Sequence, residues 1–541
     1  MLSSGVETRS MRRRFEILAP LLLAALAAFL LLWRLSEPYL WQDEANTAVL
    51  ATRMLQYGRP LAYDGVNFIG IDHITAEDTA TFDQRTGDPH TALDYDIRRG
   101  DFQPDFAWKW QPWGLFTVAA AGLKLIGHTT LGARLPFAIA AFFAVLALYR
   151  LARRYCGSVL LASLAALLLL LNAYWILHSR QCRYYPLSSL LLLLTLLAYM
   201  RWQSGRRWGA AAFVLSAWCW FQVDFGTVWP VFAVLFVAAF LTRAHSFGRT
   251  TGVGAVLAAV LAPFVIYYGL WSRRSVQAGD WTERFHGNLF NMNQYIVPAV
   301  VVVLAAALLA QRWKSIAAEE RRLVGIACAI VIAHTLWVPT ATPEAFLRYI
   351  IMMAPLGALL SAWLAVRVCG PRWAWLGAAV LALTPWLSLP LHLLVPPPDW
   401  YTGSLLVRSE LGYARDDIFG HRSDPNGLVI EWLRRNAAPT DQILINYEDI
   451  PLMFYLPNPI RGGIAAFRVE DDSHGSPAYA ILRRSAGFVY WPPYEREIAR
   501  HQWSVEPVTI PDLTWGNNPD PMAQGENPSE APPIWIARLI R

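Results

Sequence analysis

Residues 16–33 read EILAPLLLAALAAFLLLW, and the chain continues at 38–46 with PYLWQDEAN. The first stretch approaches the roughly 20 apolar residues that a helix needs to cross a bilayer. The second places two adjacent carboxylates, Asp43 and Glu44, about ten residues beyond that helix, ahead of a long polar loop. The placement favours a catalytic group at a membrane surface. The alternative is a solvated pair that stabilises the N-terminus of a following helix through the helix dipole.

The composition is that of an integral membrane protein. Of the 541 residues, 55% are hydrophobic and only 16% are charged. The net charge of +6 does not indicate binding to nucleic acid, because the arginines cluster in short loops between apolar segments. This clustering indicates how the chain is oriented in the membrane. The five cysteines are scattered, so neither a disulfide framework nor a zinc motif is predicted.

The charge pattern predicts a topology. Basic connections at 150–154, 201–207, 243–249, 312–322 and 367–372 alternate along the chain, which places them and the N-terminus on the cytoplasmic side of the inner (plasma) membrane. The long first apolar run predicts a retained anchor rather than a cleaved signal peptide. The predicted spans are 16–33, 135–151, 158–178, 187–201, 209–224, 226–242, 252–270, 295–310, 323–338, 347–366 and 373–394.

The first outer loop, 34–134, is predicted to carry two juxtamembrane helices. Residues 112–127 are apolar but short and contain Lys124, and if they spanned the membrane every later basic loop would face outward. They are therefore expected to lie along the membrane surface. Residues 44–57, with small and apolar residues at helical spacing, predict a second surface helix. Residues 58–105 show no period, which is typical of a functional or disordered loop.

The sequence thus predicts an all-α polytopic membrane domain over 1–395 and a small extracytoplasmic α/β domain over 396–541. In the second domain, Asp424-Pro425 is a strong helix start. A helix is expected from there to 435, a strand at 442–447 and a second helix at 494–501. Further strands are expected at 487–491, 503–510 and 534–540.

Three arginines are candidates for binding phosphate. Arg180 and Arg183 lie on the predicted outer side, and Arg348 begins an apolar span. The guanidinium group offers a planar fork of donors that suits phosphate oxygens. The alternatives are snorkelling to lipid headgroups for the first two and pairing with Glu344 for Arg348.

Weaker candidates lie on the same predicted face. Each alone is more often a solvated loop residue, and their spacing matches no reliable metal motif, so a divalent cation is an open question. These residues are Gln111, Asp224, Glu283 and His286, with His73, Asp94 and Asp96 in the first loop.

In the order of its motifs the chain resembles the GT-C fold glycosyltransferases that use polyprenyl-phosphate-linked sugars, a group that includes the protein O-mannosyltransferases, the lipid A aminoarabinose transferases and the bacterial galacturonosyltransferases. The matching stretches are Trp41-Gln-Asp-Glu44, Gln111-Pro-Trp-Gly114, Arg134-Leu-Pro136, Ser179-Arg-Gln-Cys-Arg-Tyr-Tyr185, Arg348-Tyr349 and Val429-Ile-Glu-Trp-Leu433 with Asp441-Gln-Ile-Leu444. Each is weak alone, and their shared order is more specific.

The resemblance implies an inverting glycosyltransferase that moves a monosaccharide from a polyprenyl-phosphate donor to a hydroxyl of a glycan, lipid or protein acceptor. Asp43 would be the general base, with Glu44 beside it. The donor phosphate would contact Arg180, Arg183 and Arg348. The cavity would be lined by Tyr184, Tyr185 and Tyr349 together with Gln111, Asp224, Glu283 and His286. Gln111 stands where the family commonly has a histidine, so the donor would be held differently there.

Two other classes of protein remain open. A lipid or glycan transporter, or flippase, also needs intramembrane charge, and it is expected to show broken helices or internal repeats. A non-catalytic assembly protein would tolerate alanine at Asp43 and Arg183.

Overall fold

A computed structural model describes residues 3–69, 106–270, 281–342, 344–398, 401, 403–404, 406–420, 424–463, 469, 475–484, 491–513, 518–521 and 529–540. The chain folds as two compact units. The helical unit comprises Met1–Arg34, Phe137–Gly420 and Asp520–Met522. The mixed unit comprises Leu35–Pro136, His421–Pro519 and Ala523–Arg541, so the predicted first outer loop groups with most of the C-terminal domain.

The elements are numbered in chain order. The helices are α1 (Ser3–Leu32), α2 (Gln42–Tyr57), α3 (Trp113–Ile126), α4 (Thr130–Tyr155), α5 (Val159–Leu170), α6 (Ala173–Ser179), α7 (Tyr185–Gln203), α8 (Gly209–Phe221), α9 (Val228–Thr242), α10 (Phe247–Tyr267), α11 (Trp281–Asn291), α12 (Ala299–Gln311), α13 (Ala318–Ala341), α14 (Ala354–Leu383), α15 (Leu389–His392), α16 (Glu410–Phe419), α17 (Pro425–Asn436), α18 (Asp449–Tyr455) and α19 (Pro492–Arg500). The strands are β1 (Ile443–Ile445), β2 (Ile460–Gly462), β3 (Tyr479–Leu482), β4 (Trp503–Val505) and β5 (Trp535–Leu539).

The protein is a multi-pass membrane protein, as its sequence predicts. Among the described residues, five helical segments are long and apolar enough to cross a membrane, and seven if each of two bent helix pairs is one span. Every one of the eleven predicted spans overlaps an apolar helix or half of one. The last two lie on either side of Gly370, whose φ of +73° interrupts α14. Glycine adopts this conformation without steric cost.

The two bent pairs break at Leu171-Asn172 and at Val297-Pro298. Helices α5 and α6 meet at 70°, and the segment Trp281–Ile296 meets α12 at 76°. Asn172 caps α6 by accepting a hydrogen bond from the Trp175 N–H at 2.9 Å, and its amide donates to the Tyr295 carbonyl at 2.7 Å. The Asn172 side chain therefore caps α6 at the first break and also satisfies a backbone carbonyl beside the second break. The sequence predicted simple spans at 158–178 and 295–310, because the helical period alone does not register such a break.

The mixed unit contains a five-stranded sheet in the order β2-β1-β3-β5-β4. Strand β1 is parallel to both β2 and β3, and β5 is antiparallel to β3 and β4. Buried side chains of β1, β3 and β5 pack with α17 into one hydrophobic core. The predicted small α/β domain is confirmed, including the start of α17, where the Asp424 carboxylate accepts from the Gly427 N–H at 2.8 Å.

Individual elements of this unit differ from the prediction. Helix α18 and strands β2 and β3 were not predicted, because each is seven residues or shorter and too brief to show a period. Strand β4 is shorter than the predicted strand 503–510. The predicted strand at 487–491 falls mostly outside the described residues.

The two helices predicted in the first loop are present. Helix α3 has 14 residues, which is about 21 Å of helix and too short to cross the hydrocarbon core. Helix α2 is not the simple surface helix that its pattern predicted. It contacts both α3 and α18, and Ala48 and Ala51 are fully buried, whereas Leu55 is exposed.

Candidate functional site

The two carboxylates of the acidic pair have different environments. Both lie in the first turn of α2, but Glu44 is fully buried. Its two oxygens accept from the Arg134 guanidinium, Oε1 from Nε at 2.7 Å and Oε2 from Nη2 at 2.6 Å. Arg134 also donates to the Pro38 carbonyl at 2.7 Å. Glu44 therefore anchors the start of α2 to α4 and to the segment before it.

Asp43 is half-buried and begins the helix beside this anchor. Of the acidic pair, Asp43 thus has the more accessible side chain on a rigid element. This is what a group needs if it is to meet a substrate in a fixed position.

The buried ion pair gives a testable prediction about Glu44. In Glu44→Gln, Arg134 keeps a buried charge without its carboxylate, and we expect the protein to lose about 3–5 kcal/mol of stability. Thermal unfolding of the purified protein measures the change. Glu16→Gln is the matched control, since it breaks the more exposed pair with Arg153 and should cost less than about 1 kcal/mol. Equal effects of the two substitutions would contradict a structural role for Glu44.

Within the mixed unit, the segment that precedes Asp43 is hydrogen-bonded to residues of the C-terminal α/β domain. The Tyr39 N–H donates to the Asp424 carboxylate at 2.8 Å, and the Leu40 N–H donates to the Tyr455 hydroxyl at 3.1 Å. The same Asp424 caps α17. These contacts fix the backbone path that leads into α2, so the placement of Asp43 depends on the folded C-terminal domain.

Two other buried acids, Glu448 and Asp449, lie beside Gln42, the residue immediately before Asp43. The Gln42 amide donates to Asp449 Oδ1 at 2.7 Å, and the neighbouring Glu448 accepts from the Asn426 amide at 3.0 Å. Burial raises the pKa of both carboxyls, that of Glu448 to about 8, although Arg483 opposes the shift for Glu448. Glu448 is therefore largely protonated at neutral pH.

This raised pKa makes the stability of the mixed unit depend on pH. Between about pH 4.5 and 8 the folded protein binds a proton at Glu448 that the unfolded chain releases, so stability falls as the pH rises through this window. Glu448→Gln keeps the neutral hydrogen-bonding group and should flatten that decline. Unfolding midpoints at pH 5.5 and 8.5 for both proteins test it. An unchanged slope in the variant would show that another group is responsible.

Gln111 lies half-buried just before α3. Among the described residues, its amide oxygen is buried without a hydrogen-bond partner. The turn beside it is fixed, because the Trp113 indole N–H donates to the Trp108 carbonyl at 2.6 Å. A buried acceptor that lacks a protein donor is a place where a ligand hydroxyl or a water can bind.

Within the helical unit, Arg180 caps the first helix. Its guanidinium donates to the carbonyls of Leu30 and Trp33, both at 2.8 Å. These are carbonyls at the end of α1, which have no partner within the helix. The structure therefore gives Arg180 a structural function that its sequence position did not predict, and its proposed contact with phosphate stays a prediction.

The other two arginines lie in loops that the fold brings together. The Arg183 guanidinium is 5.8 Å from the Tyr184 ring centre, and Tyr184 is within electrostatic range of Tyr185 and Tyr349. The Arg348 guanidinium lies 5.5 Å from the Tyr349 ring centre. The structure thus gathers two arginines and three tyrosines, a group rich in donors with aromatic walls.

We define the arginine and tyrosine cluster as Arg183, Tyr184, Tyr185, Arg348 and Tyr349. A buried histidine, His178, packs against it. His178 packs edge-on against Tyr185 with the ring centres 5.2 Å apart, and Arg348 acts on it electrostatically. Glu344 is also within range of Arg348, so the alternative of a local ion pair stays open.

The weaker candidates divide into one buried and two exposed residues. Asp224 is buried and accepts from the hydroxyls of Thr227 (2.5 Å) and Ser188 (3.1 Å) and from the Gly226 N–H (3.0 Å). Its bonds organise the loop between α8 and α9. Glu283 and His286 lie exposed on α11.

The structure offers limited support for a metal. In the described part of the chain, no group of three His, Cys, Asp or Glu side chains is placed to hold an ion. His73, Asp94 and Asp96 lie outside the described residues.

Sequence reasoning missed the positions that hold Asp43 in place. The sequence position of Arg134 did indicate a partner, since a charge near the start of an apolar helix is costly unless it is paired. The contact of Gln42 with Asp449 had no such indication, because the partners lie about 400 residues apart.

Comparison with solved structures identifies the fold. ArnT from Cupriavidus metallidurans bound to undecaprenyl phosphate aligns at a TM-score of 0.56 and 14% identity, over 96% of this chain and 97% of that one. The same protein in the apo state aligns at 0.55 and 13% identity, over 98% of both chains. The Archaeoglobus fulgidus oligosaccharyltransferase aligns at 0.49 and 12% identity, over 86% of this chain and 68% of that one.

No family model matches the chain, and no curated protein matches it in sequence. The structural alignment with ArnT, a lipid A aminoarabinose transferase, shows that the chain has the GT-C fold. This confirms the fold that the motif order implied.

Proposed function

We propose that this protein is a glycosyltransferase that moves a monosaccharide from a polyprenyl-phosphate-linked donor to a hydroxyl acceptor at the outer face of the membrane. The observation that carries the proposal is the position of Asp43, a half-buried carboxylate in the first turn of α2, whose start is fixed by the pair between Glu44 and Arg134. The fold shared with a structure of ArnT bound to undecaprenyl phosphate supports the choice of donor.

In the proposed reaction, Asp43 accepts the proton of the acceptor hydroxyl as the oxygen attacks the anomeric carbon. The bond from that carbon to the phosphate oxygen breaks, and its electron pair leaves with the polyprenyl phosphate. A single displacement inverts the anomeric centre. The acceptor, whether a glycan, a lipid or a protein, supplies only the hydroxyl.

The arginine and tyrosine cluster would stabilise the leaving group. Arg183 and Arg348 provide positive charge for the phosphate, and arginine forks can donate two hydrogen bonds to one phosphate. Donors fixed in place before the reaction stabilise the developing charge without reorganising. The cation–π contacts of Arg183 with Tyr184 and of Arg348 with Tyr349 support such fixed positions.

Mass spectrometry of surface glycans and lipid-linked sugars tests the proposal. A deletion strain is compared with the wild type and with the deletion strain carrying the wild-type gene. We expect the deletion to accumulate one polyprenyl-phosphate sugar and to lose that sugar from one glycan, lipid or protein. Unchanged sugars in both pools would overturn the proposal.

The bent helix pairs favour a second candidate, a transporter or flippase, because broken helices are a common feature of transport proteins. The two candidates differ in reconstituted vesicles. Movement of a lipid-linked sugar across the bilayer with no transfer would support transport, whereas formation of a new glycosidic bond would support the transferase.

A further inference from the structure

A groove in the helical unit lies between α4, α7 and α8, apart from the residues of the proposed reaction. Its volume is about 810 Å³. Its walls are apolar side chains, and four arginines lie at one end: Arg150, Arg154, Arg201 and Arg206. Among the described residues that line it, no carboxylate is present. This arginine-rimmed groove therefore combines an apolar body with a positively charged end.

The length of the groove matches one leaflet of a bilayer. On α4 it extends from Phe143 to Arg154, and on α7 from Leu190 to Arg201. Each interval is eleven residues, or about 16 Å of helix. Half of the hydrocarbon core is about 15 Å. An acyl chain in the groove would thus end near mid-membrane, with its headgroup level with the arginines.

The walls are open toward the lipid side. Phe143, Leu194 and Leu215 line the groove and are 50%, 39% and 60% exposed. Exposed apolar side chains of this kind in a membrane protein face lipid. A lipid molecule could therefore enter sideways from the bilayer without passing through the protein.

Two of the four arginines, Arg154 and Arg206, lie near one hydroxyl group. Tyr155 lines the groove, and Arg154, Arg206 and Glu319 all act on it electrostatically. The described residues that line the groove carry four positive charges and no carboxylate. Two of the arginines lie in the last turns of α4 and α7, where the helix dipole already favours cations. A bound anion would complete the charge balance.

We propose that the arginine-rimmed groove binds one phospholipid with an anionic headgroup. Its acyl chains lie along Phe143, Leu194 and Leu215, and its phosphate is held by the arginines. Basic pockets between membrane helices on the side predicted here to be cytoplasmic suit anionic lipid headgroups. The charge selects an anionic lipid over a zwitterionic one, since apolar walls alone would bind both.

Native mass spectrometry of the purified full chain tests this inference. The protein is titrated with phosphatidylglycerol, cardiolipin or phosphatidylcholine. We expect one anionic lipid to be retained in preference to phosphatidylcholine. Arg201→Gln with Arg206→Gln should weaken its binding about 30-fold, because each basic residue near an anionic lipid contributes about a factor of five.

Two further variants keep the test independent of folding. Arg243→Gln with Arg249→Gln removes the same charge from a loop that does not line the groove, and it should leave binding unchanged. Ser216→Trp fills the groove and keeps every arginine, and it should also abolish retention. Equal affinity for all three lipids, equal loss in the control pair, or displacement by polyprenyl phosphate but not by phosphatidylglycerol would overturn the inference.

Discussion

Asp43→Asn is expected to lower the rate of sugar transfer by 10²–10⁴-fold, the contribution typical of a general base. Asparagine has almost the same shape as aspartate but cannot accept the proton of the acceptor hydroxyl. Because Glu44 and Arg134 are untouched, α2 should keep its start and the protein its unfolding temperature. Transfer is measured with the donor and acceptor identified by mass spectrometry of the deletion strain.

Asp416→Asn is the matched control for this substitution. Asp416 is 65% exposed and pairs with the exposed Arg415, so the same chemical change there should leave transfer at the wild-type rate. Donor binding by Asp43→Asn should also remain close to normal, which separates loss of the base from loss of the site. Near-normal transfer by the folded Asp43→Asn protein would show that another group accepts the proton.

Arg348→Ala and Arg183→Ala are each expected to lower kcat/KM for the donor by 10²–10³-fold, the loss measured when one donor to a developing anion is removed. The charge that appears on the leaving phosphate would then lose one of its two proposed arginines. Lysine at either position should restore part of the rate, because it keeps the charge but not the planar fork.

Two other arginines make the comparison specific. Arg243→Ala changes a residue of the basic loop after α9 and should leave transfer unchanged. Arg180→Ala removes the cap of α1, so its main effect should be a lower unfolding temperature. If Arg180→Ala instead matched Arg348→Ala in rate with no change in stability, then Arg180 would belong with the phosphate-binding residues.

The sequence predicts the membrane fold well because its signals are local. A run of apolar residues and the arginines that follow it are enough to place a span, and every predicted span overlaps an apolar helix. The same argument predicts that 112–127 lies along the membrane surface, and α3 is one of the shorter apolar helices of the described residues, as are α8 and α9. The breaks at Asn172 and Pro298 were not predicted, since their polar partners, such as the Tyr295 carbonyl, are distant in sequence.

The candidate site is less predictable from sequence for the same reason. Asp43 and Glu44 are chemically alike and adjacent, and the contact that buries Glu44 comes from Arg134, 90 residues away. Arg180 and Arg183 lie in one short loop, yet one guanidinium caps α1 and the other lies beside Tyr184. Residue type and spacing therefore identify a set of candidate residues, and the tertiary contacts show which groups each candidate touches.

The dependence of the Asp43 segment on the sheet domain has a consequence for biosynthesis. Strand β5, at residues 535–539, pairs with β3 in the sheet whose domain holds Tyr39 and Gln42. The ribosome has therefore made the chain through β5 before the proposed base reaches its final position. Nascent and prematurely terminated chains should be enzymatically silent, which would protect the lipid-linked sugar from wasteful hydrolysis during synthesis.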